Sequence, residues 1–249
     1  FHFADHIQVI SNYLGGWARQ MGATCPITVV PNGVDLAKFK VQSEKFKTTT
    51  QNFKTIITTS RLVRKNGLDT LIEAMRFLPS DVRLQILGAG SEEMPLRQLM
   101  SRHRLDSRID FLGHVPPNEV LEYLAKADVF VRPSRSEGLG NSFLEAMAAG
   151  VPVIGTPVGG IPDFLFDPQG DTLAGFKVSP LYQTGWFCEV DNPKSIAEKV
   201  RYILDPLNRG KVDQVVANAK KLVYEKYDWE IIAQNLAQII ANLVKKRNI

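Results

Sequence analysis

The chain has 249 residues, 44% of them hydrophobic and 22% charged, and its 30 basic and 26 acidic side chains leave a net charge of +4. These proportions are those of a globular domain and exclude a disordered or fibrous chain. Cys25 and Cys188 stand far apart in no Cys-x-x-Cys pair, which argues against a disulfide framework and a zinc site and suits the cytoplasm. No window approaches the roughly 20 apolar residues that span a bilayer, because the most apolar stretch, Phe143 to Pro162, contains Glu145 and several Gly and Pro.

From the start, FHFADHIQVI has neither a basic opening nor a sustained apolar run, so it reads as a fragment boundary and not as a signal peptide. Candidate strands follow at Ile7 to Ile10, Ile27 to Val30, Thr55 to Thr59, Val82 to Leu87, Ile109 to Leu112, Val129 to Arg132 and Val151 to Ile154. Amphipathic helices separate several of them. One runs from Leu68 to Phe77, with Leu68, Leu71, Ile72 and Met75 on a face; another from Asn118 to Lys126, with Val120, Leu121 and Leu124. This alternation predicts an α/β fold built on a mostly parallel sheet.

Past PNGVD (Pro31 to Asp35), the stretch KFKVQSEKFKTTTQNFK is polar, rich in Lys and Thr and without helical periodicity. It reads as a linker, and the lysines Lys38, Lys40, Lys45, Lys47 and Lys54 as solvated surface, since few aromatics accompany them as a nucleic-acid patch would require. The strand-helix-strand piece at Ile7 to Val30 is too small to bury a core alone, so it reads as the tail of another domain. The resulting organisation is 1–33 as that tail, 34–52 as the linker, 53–228 as the main domain and 229–249 as a terminal helix. In that helix Ile232, Leu236, Ile239, Ile240 and Leu243 form a stripe that needs an apolar partner.

In parallel sheets, ligands bind beyond the carboxyl ends of the strands. Ser60 to Gly67 (SRLVRKNG) follows one strand, and its Arg61 and Lys65 could grip phosphate oxygens or form a charged surface turn. Gly88 and Gly90 in LGAG read first as a tight turn, and His114 in GHVP as a loop residue without metal-ligand spacing. The informative loop is PSRSEGLGNSFLE, Pro133 to Glu145, which leads into a helix ending at Gly150. Gly138 and Gly140 leave amides accessible at a helix N-terminus, where the helix dipole favours an anion such as a diphosphate. Glu137 could accept hydrogen bonds from sugar hydroxyls or face positive charge at a sugar carbon. Glu145 could hold a ribose, or close a capping box as Ser142-x-x-Glu145.

ADVFVRPSRSEGLGNSFLEAMAAGVPVIGTPVGG, with PNGVD, ITTSRLVRKNGLDTLIEAM, LGAG, FLGHV and YDWE, resembles the retaining GT-B glycosyltransferases of family four, the glycosyltransferase group one domain. The resemblance covers nearly the whole chain. It implies two Rossmann-like domains facing across a cleft, with residues 1–33 ending the first, an acceptor domain, and 53–228 forming the donor domain. The helix from Trp229 would cross back to the first domain. It also implies that Arg61 and Lys65 hold the donor diphosphate, the amides of Gly138, Leu139, Gly140, Asn141 and Ser142 the phosphate and sugar, and Glu145 the ribose. The backbone around Val115 would meet the base, and Glu137, as the catalytic carboxylate, would lie beside the transferred sugar.

Two departures stand out. The family's spacing of Arg, four residues, then Lys places Asn66 where the lysine is common, and DPQGDTLAGFKVSPLY, Asp167 to Tyr182, has no counterpart and reads as an inserted loop. The function implied is transfer of a hexosyl group from a nucleoside diphosphate sugar to a sugar or lipid-linked acceptor hydroxyl. Retention of configuration, no cofactor, no obligatory metal and no nucleic-acid partner are expected. Asp-x-Asp does not occur in the chain. The fragment would bind donor without transferring alone, and the full-length protein would be cytoplasmic, with peripheral membrane contact left open. An epimerase, a phosphorylase or a non-catalytic nucleotide-binding module is the alternative.

Overall fold

The computed structural model describes residues 4–42, 53–168 and 180–247. Near the start, β1 (Ile7–Val9) and β2 (Ile27–Val29) pair in parallel, and α1 (Asn12–Gln20) crosses between them. The side chain of Ser11 caps α1 by accepting from the backbone N–H of Leu14. Helix α2 (Leu36–Gln42) lies inside the stretch read from sequence as a linker. Leu36 and Phe39, three residues apart, are buried against α5 and α6 (bounds below), so tertiary contact makes a helix where the polar composition conceals one.

The remaining strands are β3 (Lys54–Thr59), β4 (Val82–Leu87), β5 (Ile109–Gly113), β6 (Val129–Arg132), β7 (Val153–Gly155) and β8 (Trp186–Phe187). All neighbours pair in parallel, in the order β5-β4-β3-β6-β7-β8. The helices are α3 (Leu68–Ala74), α4 (Glu93–Arg102), α5 (Pro117–Lys126), α6 (Asn141–Ala149), α7 (Pro193–Leu204), α8 (Arg209–Lys226) and α9 (Trp229–Arg247). Strand alternation divides the core in two. Ile56, Val129 and Val131 face α3, α4 and α7, whereas Ile57 and Phe130 face α5 and α6, and α8 contributes to both layers. A sheet covered on both faces explains why the strands are nearly continuous apolar runs.

Strand β7 starts two residues later than its hydrophobicity suggests. The N–H of Val151 is spent on the carbonyl of Ala146 beyond Gly150, which is left-handed at φ 78°, and Pro152 has no N–H to give a ladder.

Two crossings tie the ends to the main sheet. Val34 bridges Asp228, its N–H donating to the Tyr227 carbonyl at 2.7 Å while the N–H of Trp229 returns to the Val34 carbonyl. A Cβ on Gly33 would stand 2.9 Å from the Cα of Trp229, so PNGVD and YDWE meet as one crossing. Helix α9 then leaves the body. Of its stripe Ile232 is buried, while Leu236 and Ile240 are 40% and 54% exposed; no described residue covers them as the expected crossing back to the first domain would. The inserted segment lies mostly outside the described residues. Its edges are anchored, with Asp167 accepting from the N–H of Phe187 and Asn218 donating to the carbonyls of Leu181 and Gln183. Among the described residues no helix is long and apolar enough to cross a membrane.

Candidate functional site

Strand order reverses at β3, with β4 on one side and β6 on the other. A topological switch point opens a crevice beyond the carboxyl ends of these strands, and the loops flanking it carry Arg61 and Glu137. Polar atoms gather there without partners. The hydroxyls of Thr58, Thr59, Ser60 and Ser134 and the Nε of Arg132 are buried and meet no hydrogen-bond partner among the described residues. Buried polar groups are nearly always satisfied, so such a cluster marks a place reserved for something other than packing.

Behind β3, the loop packs tightly on LGAG: the N–H of Leu62 donates to the Ala89 carbonyl, and the N–H of Glu92 to the Leu62 carbonyl. Gly88 sits at φ 137°, where a Cβ would be 1.8 Å from the Ser60 carbonyl oxygen; the close approach of two loops requires this glycine. Between them and β5 lies a cleft of about 250 Å³ lined by Ser60, Arg61, Ala89, His114 and Val115 among others. Arg61 and Lys65 are both exposed. Asn66 is 1% exposed, and its amide donates to the Arg61 carbonyl at 2.7 Å. The side chain of residue 66 thus turns inward and that of residue 65 outward.

After β6 the chain follows PSRSEGLGN into α6. The N-cap of α6 is Gly140, at φ 104°, and makes no side-chain cap bond. This corrects the capping box. Ser142 is already inside the helix, buried, with its hydroxyl accepting from Arg132 at 2.7 Å, and Glu145 lies past the first turn, where it cannot reach back to a cap. The turn therefore keeps its amides open: no acceptor among the described residues pairs with the N–H of Leu139, Gly140, Asn141 or Ser142. Unpaired N–H groups at a helix start, added to the dipole, attract an anion. The side chain of Leu139 goes to the core, and that of Asn141 accepts from Asn32 at 3.4 Å, which joins PNGVD to the site.

Glu137 and Arg132 form an ion pair, each side chain 11% exposed, and the second oxygen of Glu137 accepts from the N–H of Gly138 at 2.9 Å. Burial lowers the Arg132 guanidinium from its ordinary value and the Glu137 charge opposes this, with Arg61 and Glu145 also felt. Burial raises the Glu145 carboxyl, and Arg132 pulls it back. No described residue donates a hydrogen bond to that carboxylate. Both acids and Arg61 therefore sit within one electrostatic neighbourhood.

Closing the site from the far side, Gly159 stands at φ 58° with its would-be Cβ 1.8 Å from the Glu137 carbonyl oxygen, and the N–H of Gly160 donates to that same oxygen. Ile10 and Leu14 lie above Gly138, and the N–H of Asn12 donates to Asp163 at 2.7 Å, so the β1–α1 piece roofs the amide turn. Three organising residues receive no role in the sequence reading, although Asn66 marks a departure in it. Arg132 ends a strand that spacing makes apolar, Asn66 sits in a loop, and Arg135 latches its loop to α3 and the segment before α7 through Asp69 and Asp191. An arginine closing a buried strand is the one hint available from sequence.

A model of the family described as glycosyl transferases group 1 matches residues 40–209. The chain belongs to that family. The chain is 30% identical, over 98% of its own length and 58% of the relative's, to an Escherichia coli protein named as a colanic acid biosynthesis glycosyltransferase, WcaL. It is 29% identical, over 95% of its length and 62% of the relative's, to a GDP-mannose-dependent monoacylated alpha-(1-6)-phosphatidylinositol monomannoside mannosyltransferase of Corynebacterium glutamicum. It thus spans about three fifths of these curated relatives. Among solved structures it is similar to a sucrose-phosphate synthase from Thermosynechococcus elongatus, with TM-score 0.82, 24% identity and coverage of 98% of this chain and 59% of that one. It is similar too to Anabaena HepE in complex with UDP and glucose, with TM-score 0.82, 20% identity and coverage of 97% and 64%. These likenesses establish the GT-B fold.

Proposed function

We propose that the crevice at the β3/β6 switch point binds a nucleoside diphosphate sugar, and that the full-length protein transfers its hexosyl group with retention to an acceptor hydroxyl on a saccharide or lipid-linked sugar. One observation carries the reading: the unpaired amides of Leu139 to Ser142 open beside Arg61 and two carboxylates. Amides and a guanidinium suit a diphosphate, and a carboxylate without protein donors suits the paired hydroxyls of a ribose. The relatives' names point the same way, with a GDP-mannose-dependent enzyme acting on a phosphatidylinositol mannoside and a HepE complex that holds UDP.

The residues divide the work as follows. Arg61 holds the diphosphate, with the more mobile Lys65 as an outer point charge, and the base occupies the cleft at Val115. Glu145 takes the ribose. As the glycosidic bond breaks, negative charge grows on the leaving diphosphate, and Arg61 with the α6 amides stabilises it without an obligatory metal. Glu137 spends both oxygens on Arg132 and Gly138, which suits a fixed carboxylate supporting an oxocarbenium-like transition state more than a free nucleophile. Peripheral attachment at the inner membrane face would bring the site to a lipid-linked acceptor.

Isothermal titration of UDP, GDP and ADP against the 249-residue chain tests the first half. One of them is expected to bind. A folded chain that binds none of the three would sink the reading.

A further inference from the structure

Arg132, with a side chain only 11% exposed, is an arginine at the switch point to which the proposed chemistry gives no role of its own. It closes the strand segment VFVR, whose other three residues are fully buried and apolar. Its guanidinium donates to Ser142 Oγ at 2.7 Å and to Asn66 Oδ1 at 3.2 Å, and pairs with Glu137. Its Nε has no partner among the described residues. Desolvating such a group is costly, and an apolar residue in the same place is often as stable or more so. Packing alone therefore gives little reason for an arginine here.

The neighbours give a reason. Asn66 passes the contact on to the backbone of Arg61, Ser142 lies in the first turn of α6, and Glu137 lies in the loop between. Three separate segments of the proposed site thus meet on one side chain. Residue 66, at the fifth position after Arg61, is a neutral amide, and the Arg132 guanidinium donates to its oxygen from 3.2 Å away. We propose that Arg132 is the positioning residue of the donor site: from β6 it places a cation beside the neutral Asn66, and it holds Glu137, the first turn of α6 and the Arg61 loop in register.

This rests on the donor-site reading, and the experiment separates the two. Whichever of UDP, GDP or ADP binds the wild-type chain is titrated against variants whose melting temperatures are also recorded. Arg132→Met is expected to weaken binding by at least about tenfold, and Arg132→Lys by less. Arg132→Met with Glu137→Gln removes both charges of the ion pair, so melting temperature should recover in part while affinity stays low. Arg132→Met with Asn66→Lys puts an ammonium where the guanidinium stood and should return affinity to within about threefold. Affinity that rises and falls with melting temperature across the set overturns the inference, because a purely structural arginine predicts that. So does a missing rescue in an Asn66→Lys double variant that melts like the wild type, or unchanged affinity in Arg132→Met. Failure of the wild type to bind any of the three nucleotides overturns the donor-site reading itself and takes this inference with it.

Discussion

The six-stranded sheet and the outer elements, β1–α1–β2 together with α9, are built to different standards. In the sheet, β3 and β6 have almost no exposed residue, and Phe130, Phe143, Phe164 and Tyr227 form a chain of rings with centroids 5.2, 5.7 and 6.4 Å apart, the first and last pairs edge to face and the middle pair tilted. That chain runs from β6 under the amide turn to the crossing at Val34. In the outer elements Ala18 is the one buried residue of α1, and Tyr13, Trp17, Met21, Leu236, Ile240 and Val244 are exposed. Stability and the floor of the site therefore reside in the sheet, while the outer elements contribute a roof over Gly138 and little packing energy. Regions with few buried contacts open at low free energy, so the roof should be the first part to move.

The widest gap between the two regions should appear on truncation. Phe143→Ala removes the ring shared by the sheet and the amide turn and should cost about 3–5 kcal/mol by denaturant melting. A loss under about 1 kcal/mol would show that the aromatic chain carries no such weight. Gly159→Ala comes next: its methyl would meet the Glu137 carbonyl at a left-handed φ, a conflict of about 1–3 kcal/mol relieved by shifting the turn, so nucleotide binding measured by calorimetry should fall with stability. Equal affinity in this variant would mean that the turn does not hold the ligand.

Glu145→Ala should instead separate the two quantities, weakening nucleotide binding about tenfold with melting nearly unchanged. A capping residue would give the reverse, about 1 kcal/mol of stability and no change in affinity. A smaller effect follows from pH. Burial raises the Glu145 carboxyl above its ordinary 4.5, so the native state takes up its proton more readily than the unfolded chain, and the ionised acid costs stability at neutral pH. Glu145→Gln should melt higher than wild type at neutral pH, and the advantage should fade as pH falls through the raised value. Nucleotide affinity should move the opposite way, dropping with pH in the wild type and staying flat in Glu145→Gln. At the bottom of the scale, Leu236→Ala and Ile240→Ala in α9 should change the stability of this chain by less than about 0.5 kcal/mol. A larger change would mean that α9 is packed in solution and that the contrast between the regions is overstated.

Much of the sheet was legible because its signals are local. A buried parallel strand needs a run of apolar, β-branched residues, and KTIITT, VRLQIL and VFVR show it; β8, two residues long, offers no period to read. The site was legible in outline, since glycines and acids after a strand mark a ligand loop. The register of its hydrogen bonds was not: Ser142-x-x-Glu145 fits a capping box, yet Gly140 begins the helix because the loop arrives at φ 104°. Helix α2 was hidden for the complementary reason, its two anchors being apolar among lysines.

By itself the sequence determined the alternation of most strands and helices, the mostly parallel class of the sheet and the loop that carries the amides, because hydrogen-bond period and side-chain alternation act over a few neighbouring residues. Only the tertiary structure decided that Asn66 turns inward while Lys65 does not, that Arg132 gathers Glu137, Ser142 and Asn66, and that Asn12 and Asn32 reach across to Asp163 and Asn141. Those pairings join residues as far as 151 positions apart. Burying a charge is tolerable only where a distant partner is brought beside it, and the folded chain is what brings it there.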